Sequence, residues 1–302
     1  MSSSSADRYR GIFRRIHARH PACITDEWLS KPCADSSGTA VDRPIVWSRR
    51  NGPWQQHDVI FIGAAPGNAG GMGRGSLGAH GTRIPFGGDI AGANLDALLG
   101  SIGLDRNHTF IIASLNQLPA RGGGEPTAAE LLARVGDYDN SLQIVRDTIL
   151  AAGPRLVVAL GNIAMRSIFA AVTNPRRLPS LAAVQKAGAT RNHSLDLASV
   201  AVPEFRRAFE ASWQRDLPAL LWLTHPSGQN MSPFARSETF FHTRMIEARD
   251  ALQSAARKIA GLRIPKVRPE YPDDGIYALP EWHERIGPRH AELDALWRAK
   301  GV

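Results

Sequence analysis

Four short apolar runs, each closing on a small or polar residue and followed by helical spacing, constrain this chain most. They lie at 58–63, 109–113, 155–160 and 220–223. The first, Asp58-Val59-Ile60-Phe61-Ile62-Gly63, leaves no polar position after Asp58 to face water on either side. That is the pattern of a strand buried on both faces of a parallel sheet. Helical segments are expected at Asn94–Ile102, from Pro126 and Thr127 with a break to Ala152, at Asn162–Val172, and at about Ser237–Ala260. Strands alternating with helices predict an α/β fold: a three-layer sandwich with a central, mainly parallel four-stranded sheet flanked by helices. Ligands of such sheets bind beyond the carboxyl ends of the strands. Gly63, Ser114, Gly161 and His225 fall at those ends.

Outside this pattern the chain divides into an N-terminal basic helix and loop over 1–57, the α/β core over 58–262, and a helical C-terminal extension over 263–302. Arg8, Arg10, Arg14, Arg15, His17, Arg19 and His20 make residues 8–20 a basic helical stretch. It is either a solvated helix face or an arm that contacts phosphates. A polar loop over 31–56 holds one candidate short strand, Pro44–Trp47, and 173–216 carries no readable period. Lysine and arginine number 36 against 28 acidic residues, a formal charge of +8. That balance favours an anionic partner, since each cation set against a phosphate releases a counterion. No apolar run approaches the roughly 20 residues that span a bilayer. The Ser-rich start lacks the apolar stretch of a signal peptide. A cytoplasmic monomer with no membrane partner is expected. Two cysteines, Cys23 and Cys33, exclude a disulfide framework and a four-cysteine metal site.

Three segments carry chemistry. Gly63-Ala64-Ala65-Pro66-Gly67 ends the first strand, where glycine permits a sharp turn and close backbone approach and proline stiffens it. Pro85-Phe86-Gly87-Gly88-Asp89 sets an aromatic ring among small residues, either a core phenylalanine or a platform for a flat base. His225-Pro226-Ser227-Gly228-Gln229-Asn230 follows the fourth strand. A histidine held there can donate a hydrogen bond to developing negative charge. The residues after it are small and polar enough to enter a groove.

In order and placement these segments resemble the uracil-DNA glycosylase superfamily, nearest its type b, or fifth, branch. Members of that branch carry Gly-Leu-Ala-Pro-Gly, then Phe-Thr-Gly-Asp, then His-Pro-Ser-x-Gln-Asn. The resemblance spans roughly 58–245 and implies base flipping and hydrolysis of the bond between base and deoxyribose, with DNA as partner. It implies that Ala65, Pro66, Gly67, Phe86, Ser114 and Asn116 surround the base. It also implies that Phe86 stacks on it and that His225 stabilises its departing charge. Ser227, Gly228, Gln229 and Asn230 would wedge the minor groove, with Arg236 also contacting DNA.

This chain departs from the branch in three places. Its relatives hold an iron–sulfur cluster on four cysteines, whereas Gln117 stands at one ligand position and another falls near Tyr138. No cofactor and no metal is therefore expected. The carboxylate that activates water is missing from Ala64 and Ala65, and Ala93 falls where the type b branch places its Asp. Asp89, Asn94 and Asn68 remain as candidates, although Asp89 equally suits a helix cap. The Asn that reads uracil is replaced near Ile112-Ala113-Ser114 and in the Gly122–Gly124 run.

A site without that fitted hydrogen bond discriminates poorly for uracil. The Gly-rich stretch Gly67–Gly81, with Asn68, Arg74, Ser76 and His80, suggests a roomier pocket. A bulky modified pyrimidine, such as the glucosylated hydroxymethylcytosine of phage DNA, fits that logic and would make the enzyme a defence against phage. The alternatives are a uracil-DNA glycosylase of base excision repair and a catalytically silent DNA-binding relative. A nucleotide-handling enzyme is disfavoured, because the loop has neither Gly-Lys-Ser/Thr nor Gly-x-Gly-x-x-Gly opening a helix.

Overall fold

The computed structural model describes residues 5–16, 58–65, 86, 90–106, 109–116, 119, 125–227 and 238–259, with isolated positions between 287 and 299. The elements run α1 (Ser5–Ile16), β1 (Val59–Gly63), α2 (Ile90–Gly100), β2 (Phe110–Ala113), α3 (Ala128–Leu132) and α4 (Ser141–Ala152). They continue with β3 (Leu156–Leu160), α5 (Asn162–Val172), α6 (Leu181–Lys186), β4 (Ser194–Asp196), α7 (Pro203–Trp213), β5 (Ala219–Leu223) and α8 (Glu238–Arg257). The candidate strand at Pro44–Trp47, both cysteines and most of the C-terminal extension lie outside the described residues.

The sheet has the order β2-β1-β3-β5-β4. Four strands are parallel and β4 joins β5 antiparallel. Period-two alternation divides the core between two faces. Ile60, Ile62, Val157, Ala159, Leu220 and Trp222 pack with residues of α1, α4, α5 and α7. Phe61, Val158, Leu160, Leu221 and Leu223 pack with residues of α2 and α8. Helices therefore cover both faces, as the sequence predicts, but the sheet has five strands rather than four. The added strand comes from the 173–216 stretch. It is short, with Ser194 and Asp196 exposed, so it offers no apolar run.

Local signals fix several helix ends. Thr127 and Glu130 cap α3 reciprocally, the Thr127 side chain accepting from the Glu130 N–H and the Glu130 carboxylate from the Thr127 N–H. Asn140 caps α4, and the separation of α3 from α4 is the break expected before Ala152. On α1, Ile12 and Ile16 enter the core. Arg15 and Arg8 serve the same docking. The Arg15 guanidinium lies 3.9 Å over the Tyr138 ring and pairs with Asp147 at 3.1 Å, while Arg8 lies 4.5 Å over Trp213. Burial raises both the Tyr138 phenol and the Asp147 carboxyl above their usual ranges, Arg15 opposing the shift at each.

Candidate functional site

The carboxyl ends of β1, β2, β3 and β5 converge on one edge of the sheet. There the β1 and β2 ends are tied together: the Ser114 N–H and hydroxyl both donate to the Gly63 carbonyl, at 2.9 and 2.8 Å, and Leu115 N–H donates to Ala64 O at 3.0 Å. Ser114 is fully buried and its hydroxyl proton is committed to this tie, two residues before the equally buried Asn116. Ala64 and Ala65 are half-buried beside the third cluster of the core.

Phe86 arches over the end of β1. A Cβ on Gly63 would stand 2.7 Å from Phe86 Cζ, so the missing side chain at Gly63 is the space that the ring fills. The ring is half-buried rather than sealed in the core, and its centroid lies 5.7 Å from that of His225, the planes tilted by 36°. His225 itself rises from the end of β5, one strand beyond Gly161, where a Cβ would lie 3.1 Å from His225 Cβ. Phe86 and His225, 139 residues apart in the sequence, thus share one wall.

The conformation of Phe86 is held from below. Its φ is +56°, a region that costs a residue with a Cβ roughly 1–2 kcal/mol. Arg106, fully buried, donates from Nη2 to Phe86 O at 2.8 Å and to Gly92 O at 3.3 Å. Its Nε donates to Asp96 Oδ1 at 2.7 Å, an ion pair with both side chains removed from solvent. Asp96 stands on α2, and so does Asn94. Asn94 Nδ2 donates to Pro226 O at 2.8 Å, fixing the turn that carries His225. Helix α2 therefore braces both sides of the site. Asn94 is fully buried, and its Oδ1 has no hydrogen-bond partner. A buried acceptor in that state is uncommon.

Sequence reasoning missed Arg106 and Asp96. Their signal is an acidic residue within a mostly apolar helix and a basic one in the following loop, ten residues on. Of the residues singled out, the structure brings together His225, Phe86, Asn94, Ala65, Ser114 and Asn116 at this edge, and Ser227 lies two residues beyond His225. Asp89, Asn68, Pro66, Gly67, Gly228, Gln229, Asn230 and Arg236 lie outside the described residues. Among the described residues no group of three or more His, Cys, Asp or Glu is placed to hold a metal ion. The residues present do not fit a four-thiolate cluster. The chain has two cysteines, and Tyr138 is buried under Arg15 where a ligand would stand. Among the described residues no helix is long and apolar enough to cross a membrane.

Comparison with known proteins gives one finding. Residues 50–249 match the family model of the Uracil DNA glycosylase superfamily. No curated protein matches the chain.

Proposed function

Because the chain belongs to the Uracil DNA glycosylase superfamily, whose members act on DNA, we propose that it is a monofunctional DNA glycosylase. It flips a base from the stack and hydrolyses its N-glycosidic bond, leaving an abasic site. The observation that carries this reading is the pairing of Phe86 with His225 across one wall at the carboxyl edge of the sheet. A flat ring and a ring that donates a hydrogen bond are the two groups a departing base requires: one to stack against its face, the other to hold its carbonyl oxygen.

In this reading the bond from C1′ to the base nitrogen breaks first. The electron pair leaves with the base, and the sugar becomes oxocarbenium-like. His225 donates to the base carbonyl oxygen, where the negative charge collects. Asn94 Oδ1 accepts a hydrogen bond from the attacking water and so aims the water oxygen at C1′. The buried, unpartnered state of Oδ1 supports this role. An amide is no strong base. Water adds as the bond is already cleaving, and its proton passes to the departing base or to solvent. Asp89 and Asn68 are the other candidates for that water.

The proposed substrate is a bulky modified pyrimidine, such as glucosylated hydroxymethylcytosine in phage DNA. At the end of β2, Ala113 offers no amide and the Ser114 hydroxyl is turned to Gly63 O, so the position that reads uracil in relatives lacks a donor–acceptor pair. The superfamily's name favours uracil as the second reading. Incubation with plain, uracil-containing and glucosylated DNA, followed by mass spectrometry of released bases, decides between them. Release of the modified pyrimidine ahead of uracil is expected. Release of uracil alone would assign the protein to uracil repair, and release of nothing would make it a binder.

A further inference from the structure

The loop before β4 brings a guanidinium to the site that neither the family match nor the motifs account for. Strand β4 pairs with β5 in the register Ser194↔Leu221, so the chain just before it runs alongside the end of β5 towards His225. Asn192 N–H donates to Trp222 O at 2.8 Å and locks this loop to the strand. Arg191 then lies with its guanidinium 5.1 Å over the Trp222 ring, and its Nη2 donates to Asn162 Oδ1 at 2.9 Å. Asn162 follows Gly161, the residue that makes room for His225. Arg191 is therefore a fixture of the catalytic edge, held in place by a ring and a hydrogen bond.

It is held without a counter-charge. Among the described residues, Arg106, Arg15, Arg155, Arg207 and Arg244 each sit within 4 Å of a carboxylate. No carboxylate of the described residues pairs with Arg191, which is half-buried. Glu247, reached by Asn192 Nδ2 at 3.5 Å, is engaged by Arg244 at 3.4 Å. One of the five guanidinium donors is committed to Asn162. A planar fork kept rigid and partly dry, with donors to spare, suits a phosphate oxygen better than it suits water.

We propose that Arg191 binds a backbone phosphate of the DNA strand carrying the flipped nucleotide. The contact is independent of sequence: it positions the strand at the site and leaves choice of base to the pocket. The inference rests on the reading of the chain as a DNA-acting protein, but its test requires no base release. Equilibrium binding of a labelled duplex is measured across a salt series for wild type, Arg191→Gln, Arg191→Lys and Arg207→Gln. Arg207 is exposed on α7, which starts at the far edge of the sheet where Val202 N–H meets Val172 O at the end of α5. Loss of one phosphate contact lowers the slope of log K against log salt by about 0.9. Arg191→Gln is expected to show that loss, whereas Arg191→Lys, which keeps the charge, and Arg207→Gln retain the wild-type slope. Matched melting temperatures exclude misfolding. An unchanged slope in Arg191→Gln, or an equal loss in Arg207→Gln, overturns the assignment. A protein that shows the slope change yet releases no base leaves this contact standing and removes the glycosylase reading. A protein that binds no duplex removes both.

Discussion

Replacing Arg106 separates the stability of the fold from the geometry of the site. Arg106 and Asp96 are both fully buried, with Nε and Oδ1 2.7 Å apart. Arg106→Met leaves the Asp96 carboxylate in the core without its cation, which costs about 3–5 kcal/mol. Adding Asp96→Asn removes the orphaned charge while nearly keeping its shape, and most of that loss should return. The tie to Phe86 O does not return with it. Without that 2.8 Å hydrogen bond, the tie that offsets the cost of a φ of +56° at Phe86 is gone. Leaving that region relieves roughly 1–2 kcal/mol. The ring then leaves Gly63 and His225, and its stacking contribution, about 1–3 kcal/mol, is lost. The double variant should therefore melt near wild type, yet bind the flipped base about 5–150-fold more weakly. Urea titration gives the first quantity, and KM and kcat for base release give the second, with the loss expected mainly in KM. A double variant with both wild-type stability and wild-type KM would refute the assignment of Arg106 as a positioning residue.

Four further outcomes are expected. His225→Ala should keep DNA binding but lose roughly 10²–10³-fold in single-turnover base release, the usual consequence of removing one donor to a developing oxyanion; equal rates would mean that another group holds the base oxygen. Phe86→Ala should weaken the flipped-base complex by about 1–3 kcal/mol, read by binding to duplexes with and without the target base. The purified protein should be colourless and free of stoichiometric iron, as measured by absorption spectrum and metal analysis. Burial raises the Asp147 carboxyl above the usual range, so its contribution to stability is fully present below the ordinary Asp pKa and is lost as pH rises through the raised value. The melting temperature of Asp147→Asn relative to wild type should therefore climb as pH rises from acid towards neutral, and a flat difference would contradict that shift.

The parallel strands were legible because each must be apolar on both faces, and Val59–Gly63, Phe110–Ala113, Leu156–Leu160 and Ala219–Leu223 leave little else to read. Strand β4 was not. An edge strand needs little beyond backbone donors and acceptors, and of Ser194-Leu195-Asp196, paired antiparallel with β5, only Leu195 packs on the core. The first turn of α2 was illegible for a different reason. Ile90-Ala91-Gly92-Ala93 reads as loop because glycine disfavours a helix, yet Gly92 lies inside one. There a Cβ would stand 1.8 Å from Phe86 O, so the contact overrides the propensity. At the site, His225 and Phe86 were found through motifs, whereas Arg106 looked like any loop arginine until the fold carried it over Asp96. Arg191 lay in a stretch with no period to read, and its value comes wholly from the strand that follows it.

Beside the side-chain ties of Arg106 and Asn94, three glycines set the close contacts of the described wall of the site. Gly92 meets the carbonyl of Phe86, Gly63 meets the end of its ring, and Gly161, at a φ of +94°, meets His225 Cβ. These contacts differ in what can yield. The ring at Gly63 can tilt away from an added methyl, although only by moving towards His225 or off the base. The carbonyl at Gly92 has no such freedom, because Arg106 holds it from the other side. Gly161 combines a close contact with a backbone angle that disfavours any side chain. Two of these glycines sit at or just beyond the ends of neighbouring parallel strands, β1 and β3, and β3 pairs in turn with β5, which carries His225. The 5.7 Å spacing of Phe86 and His225 is thus tied to the register of the sheet itself.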